Sequence, residues 1–202
     1  MRKRVYISAD YAENNGDRDV VETLRVWGND LKHEVDYVDT SMVASGSESE
    51  DPDCRPCDLK KEFNSQINIS SAVIFVIGDK TSSRTAGSLC ERNDKGPFCP
   101  CTPYKQNTNG RKVCKINGKV YSTQNDSDVG SINTYSYLKH EFMQAKRKQK
   151  TIIIIYNSLN HQPNWLPDYM ADYQDIAHPF WIKNERGERV GDYQYIKKAL
   201  GY

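Results

Sequence analysis

The sequence predicts an α/β domain built on an open, doubly wound parallel sheet with strand order 2-1-3-4-5. Three observations support this prediction. Residues 71–77 (SAVIFVI) form an apolar, β-branched run that is typical of a strand buried on both faces. Residues 135–156 join an amphipathic helical pattern to a second such run, TIIIIY. Strand-like and helix-like segments alternate along much of the remaining chain, as they do in βαβ units.

The N-terminal segment predicts a strand, a helix and a second strand. Residues 4–8 (RVYIS) indicate the first strand, and residues 35–38 indicate a second, weaker one. Between them a helix is expected to begin at Asp17 or Asp19, because either carboxylate can cap it. The apolar stripe of this helix consists of Val20, Leu24, Trp27 and Leu31.

A loop and another helix are expected before residues 71–77. Residues 40–56 are rich in Ser, Glu, Asp and Gly and therefore predict a loop. Asp58 can cap the helix that follows. The apolar stripe of that helix consists of Leu59, Phe63 and Ile67.

Residues 79–134 interrupt the alternation of strands and helices. They contain many Gly, Asn, Ser, Thr and Pro residues and four cysteines, and they show no sustained periodicity. Structureless loops longer than about 15 residues are uncommon in compact domains. We therefore interpret this segment as a functional insertion with its own local staples, inside one domain that spans residues 1–202.

The C-terminal segment predicts the edge of the sheet. Residues 157–177 indicate a polar and aromatic connection, and residues 178–182 (HPFWI) indicate an edge strand because they contain Pro179. A short closing helix is expected from the spacing of Tyr193, Ile196 and Leu200.

Composition narrows the classes of partner. The 202 residues include 28 Lys and Arg against 27 Asp and Glu, and the resulting charge of +1 gives no general electrostatic reason to bind nucleic acid or a membrane. The basic start, MRKR, lacks the apolar region of a signal peptide, and the apolar runs are too short to span a bilayer. We expect a cytoplasmic protein.

The cysteines leave several interpretations open. A structural zinc site in the insertion is one of them, although a C-x-C pair with two distant partners is a weak signal, and disulfides or free thiols explain it equally well. Cys54 and Cys57 form a C-x-x-C pair, but an acidic loop precedes it instead of the apolar strand that a redox motif needs. The four candidate zinc ligands are Cys90, Cys99, Cys101 and Cys114.

Glu141 is the most unusual residue of the amphipathic helix in residues 135–156. At 100° per residue it lies on the edge of the apolar stripe, one turn after Tyr137, and is expected half inside the core. No basic residue lies three or four positions away, so a surface ion pair does not explain it. Glu141 is therefore either a candidate site acid or a solvated boundary glutamate. His140 is expected on the exposed face.

Topology directs Glu141 toward the ligand crevice of such a sheet. Ligands bind beyond the carboxyl ends of the strands, where the winding reverses between strands one and three. Residues 9–16 and 78–80 follow those two strands, and Glu141 lies early in the helix that follows strand three. Neither GxxxxGK[ST] nor a GxGxxG after a strand occurs, so a nucleotide would be held by aromatic stacking and isolated polar groups.

Four segments together resemble the TIR-like domains of bacterial defence systems, of the kind paired with Thoeris effectors. They are RVYISADY, YVDTS, SSAVIFVIG and YSYLKHEF, and the resemblance covers residues 3–81 and 135–156. Its most specific element is an aromatic residue four positions before a Glu on the helix after strand three, here Tyr137 and Glu141. Many TIR enzymes have Trp at the aromatic position. The resemblance implies a flavodoxin-like, TIR-like sheet.

The resemblance also implies a function: NAD+ glycohydrolase or ADP-ribosyl cyclase chemistry that makes a nucleotide signal for a partner effector in antiphage defence. Glu141 would be the catalytic carboxylate and Tyr137 a wall of the pocket. NAD+ would be the substrate, with no further cofactor required, and the protein would form homo-oligomers. The remaining substrate contacts implied are Ser8, Ala9, Asp10, Tyr11 and Asp39, with a structural role favoured for Asp39.

Three alternatives accompany this hypothesis. The protein could be a non-enzymatic TIR-like interaction module that works through homotypic contacts. It could be a thiol oxidoreductase that uses Cys54 and Cys57. A phosphoacceptor receiver built on Asp10 and Asp79 is the weakest of the three.

Overall fold

A computed structural model describes residues 3–11, 16–30, 33–45, 55–84, 105–106, 112–113 and 136–202. Its centre is a five-stranded sheet in which all neighbouring strands are parallel. In chain order the strands of this sheet are β1 (Lys3–Ser8), β2 (Val35–Asp39), β3 (Ala72–Ile77), β6 (Thr151–Tyr156) and β7 (His178–Pro179).

The spatial order of the sheet is β2-β1-β3-β6-β7, so the predicted order 2-1-3-4-5 and the α/β class are confirmed. The structure describes two further pairs of strands, which are short and antiparallel. One lies within residues 79–134 and joins β4 (Lys105–Gln106) to β5 (Lys112–Val113). The other joins β8 (Trp181–Lys183) to β9 (Arg189–Gly191).

Five α-helices lie along the described residues, and short 3₁₀ turns connect several elements. The helices are α1 (Asp17–Trp27), α2 (Thr40–Ser45), α3 (Arg55–Ile69), α4 (Tyr137–Arg147) and α5 (Tyr193–Ala199). The 3₁₀ turns are Thr81–Ser83, Pro163–Trp165 and Asp168–Tyr173. No described helix has the length and apolarity needed to cross a bilayer.

Each face of the sheet has its own apolar core. On one face the side chains of β1 and β3 pack with α1 and α5, and on the other they pack with α3 and α4. All six residues of β3 are buried, which confirms the prediction of a strand covered on both faces. Because neighbouring residues of a strand point to opposite faces, Tyr6 and Ser8 of β1 lie together on the α4 side.

The capping residue explains where α4 begins. The Ser136 hydroxyl accepts a hydrogen bond from the Lys139 amide at 2.9 Å, which satisfies a free N–H of the first turn. Lys146 and Arg147 lie in the last turn, where they complement the helix dipole. The residues Leu138, Phe142 and Ala145 recur at helical spacing and are buried against the sheet.

Two predicted boundaries were wrong. Residues 40–45 form α2 and not a loop, because Asp39 Oδ1 accepts hydrogen bonds from the backbone amides of Ser41 (2.8 Å) and Met42 (3.3 Å). Helix α3 begins at Arg55, three residues before the predicted cap at Asp58, and Pro56 fits its first turn.

The predicted edge strand over residues 178–182 divides into two elements. Only β7 pairs with β6, and Trp181 then begins the antiparallel β8–β9 pair. Within residues 79–134, a 3₁₀ turn, β4 and β5 are described, so the interpretation of the segment as a functional insertion stays a prediction. Leu31 of the predicted α1 stripe lies outside the described residues.

We expect Gly191→Ala to destabilise the fold, because Gly191 of β9 packs directly against an aromatic cluster. A Cβ at this position would lie 2.7 Å from Cη2 of Trp27 and 2.9 Å from Cζ of Phe180. Overpacking of this kind lowers the free energy of unfolding by about 1–3 kcal/mol. Urea unfolding followed by circular dichroism measures the change.

A double-mutant cycle supplies the control for this contact. Trp27→Phe removes the clashing Cη2 atom, so the cost of Gly191→Ala should fall by about 1 kcal/mol in that background. Additive effects of the two substitutions would contradict the proposed clash.

Candidate active site

Glu141 lies at the centre of a buried polar network at the carboxyl end of β1. It is in the second turn of α4, and only 1% of its surface is exposed. The expectation that it would lie half inside the core was therefore wrong, because β1 and α2 cover the carboxyl as well as α4. The alternative of a solvated boundary glutamate is wrong for the same reason.

Hydroxyl groups of β1 hold both oxygens of the Glu141 carboxyl. The Tyr6 hydroxyl donates to Oε1 at 2.6 Å, and the Ser8 hydroxyl donates to Oε2. The Thr40 hydroxyl is 3.5 Å from Oε1 but donates its single proton to the carbonyl of Ile7 at 3.1 Å. The network therefore joins α4 to β1 through two direct hydrogen bonds.

Burial raises the pKa of Glu141 to about 8. The hydrogen bonds from Ser8 and Tyr6 oppose this rise, and the negative charge of Asp10 adds to it. At pH 7 the carboxyl is thus mainly protonated. A positive charge placed beside it would favour the carboxylate, since opposite charges attract strongly where water is excluded.

Asp10 is the second acidic group of the site and lies two residues after β1. Its Oδ2 is buried, and no described group hydrogen-bonds to it. Burial raises the pKa of Asp10 to about 6, while Arg84 and the Thr81 hydroxyl lower it and Asp17 raises it. Thr81 is held in place because its Oγ1 accepts a hydrogen bond from the Gly78 amide at 2.9 Å.

Two tyrosines with buried phenol oxygens lie at the same end of the sheet. Burial raises the pKa of the Tyr169 phenol, a hydrogen bond with Ser136 opposes the rise, and the charges of Asp10 and Glu141 add to it. Tyr156 is the last residue of β6. The Tyr156 phenol oxygen has no hydrogen-bond partner within the part of the chain that the structure describes.

Asp39 differs from the other two acids because its oxygens are fully engaged. Oδ1 accepts hydrogen bonds from the Tyr11 hydroxyl at 2.7 Å and from Ser41, and Oδ2 pairs with the Arg25 guanidinium. Burial raises the pKa of Asp39, but the hydrogen bonds from Ser41 and Tyr11 and the charge of Arg25 outweigh it and hold the pKa below its usual value.

The remaining predicted contacts lie near this network in different arrangements. The Ala9 amide donates to the Thr40 hydroxyl at 3.4 Å. Tyr11 adopts a left-handed backbone with φ of 48°, and its phenol is held by Asp39. Tyr137 is half-buried and packs edge-on against Phe63 of α3, with ring centroids 5.6 Å apart.

The prediction that His140 faces solvent was wrong. Its side chain is buried between α4 and α3, and Nε2 is 3.2 Å from the carbonyl oxygen of Lys60. Burial lowers the pKa of His140 to about 3, so the ring is neutral and Nε2 carries the proton that it donates. The helical pattern of α4 alone did not reveal that α3 covers this face.

The predicted cysteine sites fall mostly outside the described residues. Cys57 lies in the first turn of α3, whereas Cys54, Cys90, Cys99, Cys101 and Cys114 are not described. Across the described ranges, no group of three or more His, Cys, Asp or Glu side chains is arranged to hold a metal ion. The zinc and thiol hypotheses therefore stay predictions.

Comparison of the chain with family models, curated proteins and solved structures gave no match. The TIR-like resemblance thus stays a prediction from four sequence segments.

The sequence interpretation missed Tyr6, Thr40 and Tyr169. A signal existed for Tyr6, because it lies two residues before Ser8 in a strand and must share its face. Thr40 gave no signal, since α2 was predicted as a loop. Tyr169 lies in the connection after β6, which shows no periodicity, so nothing local indicated that its phenol would interact electrostatically with Glu141.

The raised pKa of Glu141 predicts a pH-dependent stability. Between its ordinary value of 4.5 and about 8, the folded chain retains a proton that the unfolded chain has lost. The contribution of Glu141 to the free energy of unfolding is therefore complete below the lower value and is lost as the pH rises through this window. Across this pH window, the free energy of unfolding of the wild type should fall relative to that of Glu141→Gln by on the order of a few kcal/mol.

Urea unfolding of both proteins across this pH window measures the difference, which isolates Glu141 from other titrating groups. Glu62→Gln is the matched control, because Glu62 is an exposed glutamate on α3. A wild-type-minus-variant difference that does not change with pH would rule out the raised pKa.

Removing the Tyr6 hydroxyl should raise the pKa of Glu141 further. In Tyr6→Phe, Oε1 loses a donor that stabilises the carboxylate, so we expect a rise of about one pH unit or more. Carboxyl ¹³C NMR titration measures it. Tyr37→Phe is the control, because the buried Tyr37 phenol oxygen has no hydrogen-bond partner among the described residues. Equal pKa values in wild type and Tyr6→Phe would contradict the network.

Proposed function

We propose that the protein cleaves the bond between nicotinamide and ribose in NAD+, releasing nicotinamide and an ADP-ribosyl product that is linear or cyclic. The observation that supports this most directly is the environment of Glu141. Its hydrogen-bond partners among the described residues are neutral hydroxyls, and no cation in that set pairs with it. A cationic ligand would supply the missing positive charge.

NAD+ is suited to such a group because its nicotinamide ring carries a positive charge. As the carbon–nitrogen bond breaks, this charge moves to the ribose C1′ and its ring oxygen, as in the oxocarbenium-like transition states of glycoside cleavage. A carboxylate in a water-poor site stabilises the developing charge strongly, because the effective dielectric constant is low. Nicotinamide leaves as a neutral base, so no general acid is required.

Binding of the cationic ring would also ionise the catalytic group. The positive charge would lower the pKa of Glu141 from its raised value and so release the proton of its carboxyl group. Tyr6 and Ser8 then keep the carboxylate oriented, since both donate to it. The crevice residues Ser8–Tyr11 would contact the ribose and Tyr137 would form part of the wall.

The TIR-like resemblance extends this proposal to biology. In that interpretation the ADP-ribosyl product is a nucleotide signal that activates a partner effector during antiphage defence. Homo-oligomerisation would complete the pocket with a neighbouring copy of the chain.

The burial of Glu141 favours a second candidate, a non-enzymatic interaction module. Glu141 is only 1% exposed, and its hydrogen bonds to Tyr6 and Ser8 also hold α4 against β1. In this case the network is structural, and function resides in the surface that contacts another copy.

Nicotinamide release separates the two candidates. Wild-type protein incubated with NAD+ should release nicotinamide, and Glu141→Gln should reduce the rate by about 10²–10³-fold, because the neutral amide cannot balance the transition-state charge. Glu62→Gln should keep the wild-type rate. Liquid chromatography with mass spectrometry measures nicotinamide and shows whether the product is linear or cyclic.

Release by Glu141→Gln at the wild-type rate would remove Glu141 from the catalytic role. No release by the wild type would support the interaction module. Circular dichroism of each variant checks that the fold is retained.

A further inference from the structure

Asp10 has a buried oxygen that the protein itself does not use. Its Oδ2 is shielded from solvent and has no hydrogen-bond partner in the described part of the chain. A buried polar atom without a partner costs free energy, so native proteins rarely keep one without a reason. Asp10 lies at the carboxyl end of β1, two residues beyond Ser8. The Ser8 hydroxyl is hydrogen-bonded to Glu141.

The surroundings of Asp10 indicate a ligand-facing position. The charge of Asp10 raises the pKa of Glu141, and the charges of both acids raise the pKa of the Tyr169 phenol. An unsatisfied buried carboxylate oxygen two residues from the Ser8 that holds Glu141 is what a site has when its natural partner is a small polar molecule.

We propose that Asp10 is a second catalytic carboxylate, whose Oδ2 removes the proton from the hydroxyl nucleophile that attacks C1′ of the ribose. This inference rests on the proposed NAD+ cleavage and assigns the two halves of the reaction to different acids. Glu141 stabilises the positive charge as nicotinamide departs, and Asp10 serves as the general base for the incoming water.

The step balances without any further reactant. The bond from C1′ to the nicotinamide nitrogen breaks, and its electron pair neutralises the ring. A lone pair of the water oxygen forms the new bond to C1′, and one proton of that water passes to Asp10 Oδ2. Asp10 then releases the proton to solvent, so the products are nicotinamide, ADP-ribose and H⁺.

The charge of Asp10 at neutral pH is consistent with its role as the general base. Burial raises the pKa of Asp10 only to about 6, so Asp10 is mainly ionised at pH 7 and can accept a proton. General bases work best when their pKa lies near the working pH. Arg84 and Thr81 favour the ionised form, which keeps Asp10 a base despite the nearby Asp17.

Base exchange tests this assignment, because the nitrogen of a pyridine attacks C1′ without a proton to lose. Hydrolysis of NAD+ to ADP-ribose and exchange of nicotinamide for 3-acetylpyridine are measured in the same preparation. Asp10→Asn should lower hydrolysis about 10²–10⁴-fold, the usual contribution of a general base, while exchange falls less than about threefold. Glu141→Gln should lose both reactions.

Asp19→Asn is the matched control, because Asp19 is an exposed carboxylate in the first turn of α1 and forms a surface ion pair with Arg189. It should keep both rates. The ratio of the two rates does not depend on the folded fraction of a preparation. Asp10→Ser, which also lacks the carboxylate, serves if Asp10→Asn does not fold.

The outcomes separate this inference from the proposed function. An equal fall of hydrolysis and exchange in both Asp10 variants would overturn the general-base role while leaving NAD+ cleavage intact. A wild type that forms only a nitrogen-linked cyclic product would overturn it too, because no hydroxyl then attacks. A wild type that releases no nicotinamide would overturn both.

Discussion

The buried carboxyl of Glu141, held by the Tyr6 and Ser8 hydroxyls, is the interaction on which the arrangement of the site depends. Taking a carboxyl out of water is unfavourable, and the two hydrogen bonds offset only part of that cost, so the group stays mainly protonated at neutral pH. The same two bonds tie α4 to β1. They bring a titratable group to the point where the sheet changes its winding direction.

Three acids near the ends of β1 and β2 show how environment separates structural from chemical roles. Asp39 has a guanidinium, a phenol and backbone amides around it, and its pKa is held low. Glu141 has only hydroxyls, and Asp10 retains one oxygen without a described partner. The fully compensated Asp39 serves as the cap of α2, whereas the incomplete compensation of Glu141 and Asp10 is consistent with the ligand-binding role proposed for them.

The parts of the fold that sequence predicted well are those controlled by local pattern. Residues of β3 are buried on both faces, which makes the run apolar throughout, and right-handed crossovers leave few choices of strand order. The predictions were wrong where an element distant in sequence changed the burial or the secondary structure of a segment. His140 is covered by α3, which a single helical pattern does not report, and α2 depends on the caps that Asp39 supplies.

By itself, the sequence determined that an amphipathic helix after the third strand carries an acid at the edge of its apolar stripe, because helical and strand periods are local properties. Only the tertiary structure decided which groups meet that acid. Tyr6 and Ser8 are 135 and 133 residues away from Glu141 in the chain. Contacts over such separations come from the packing of complete elements, and that packing sets the burial and the charge that give the site its chemistry.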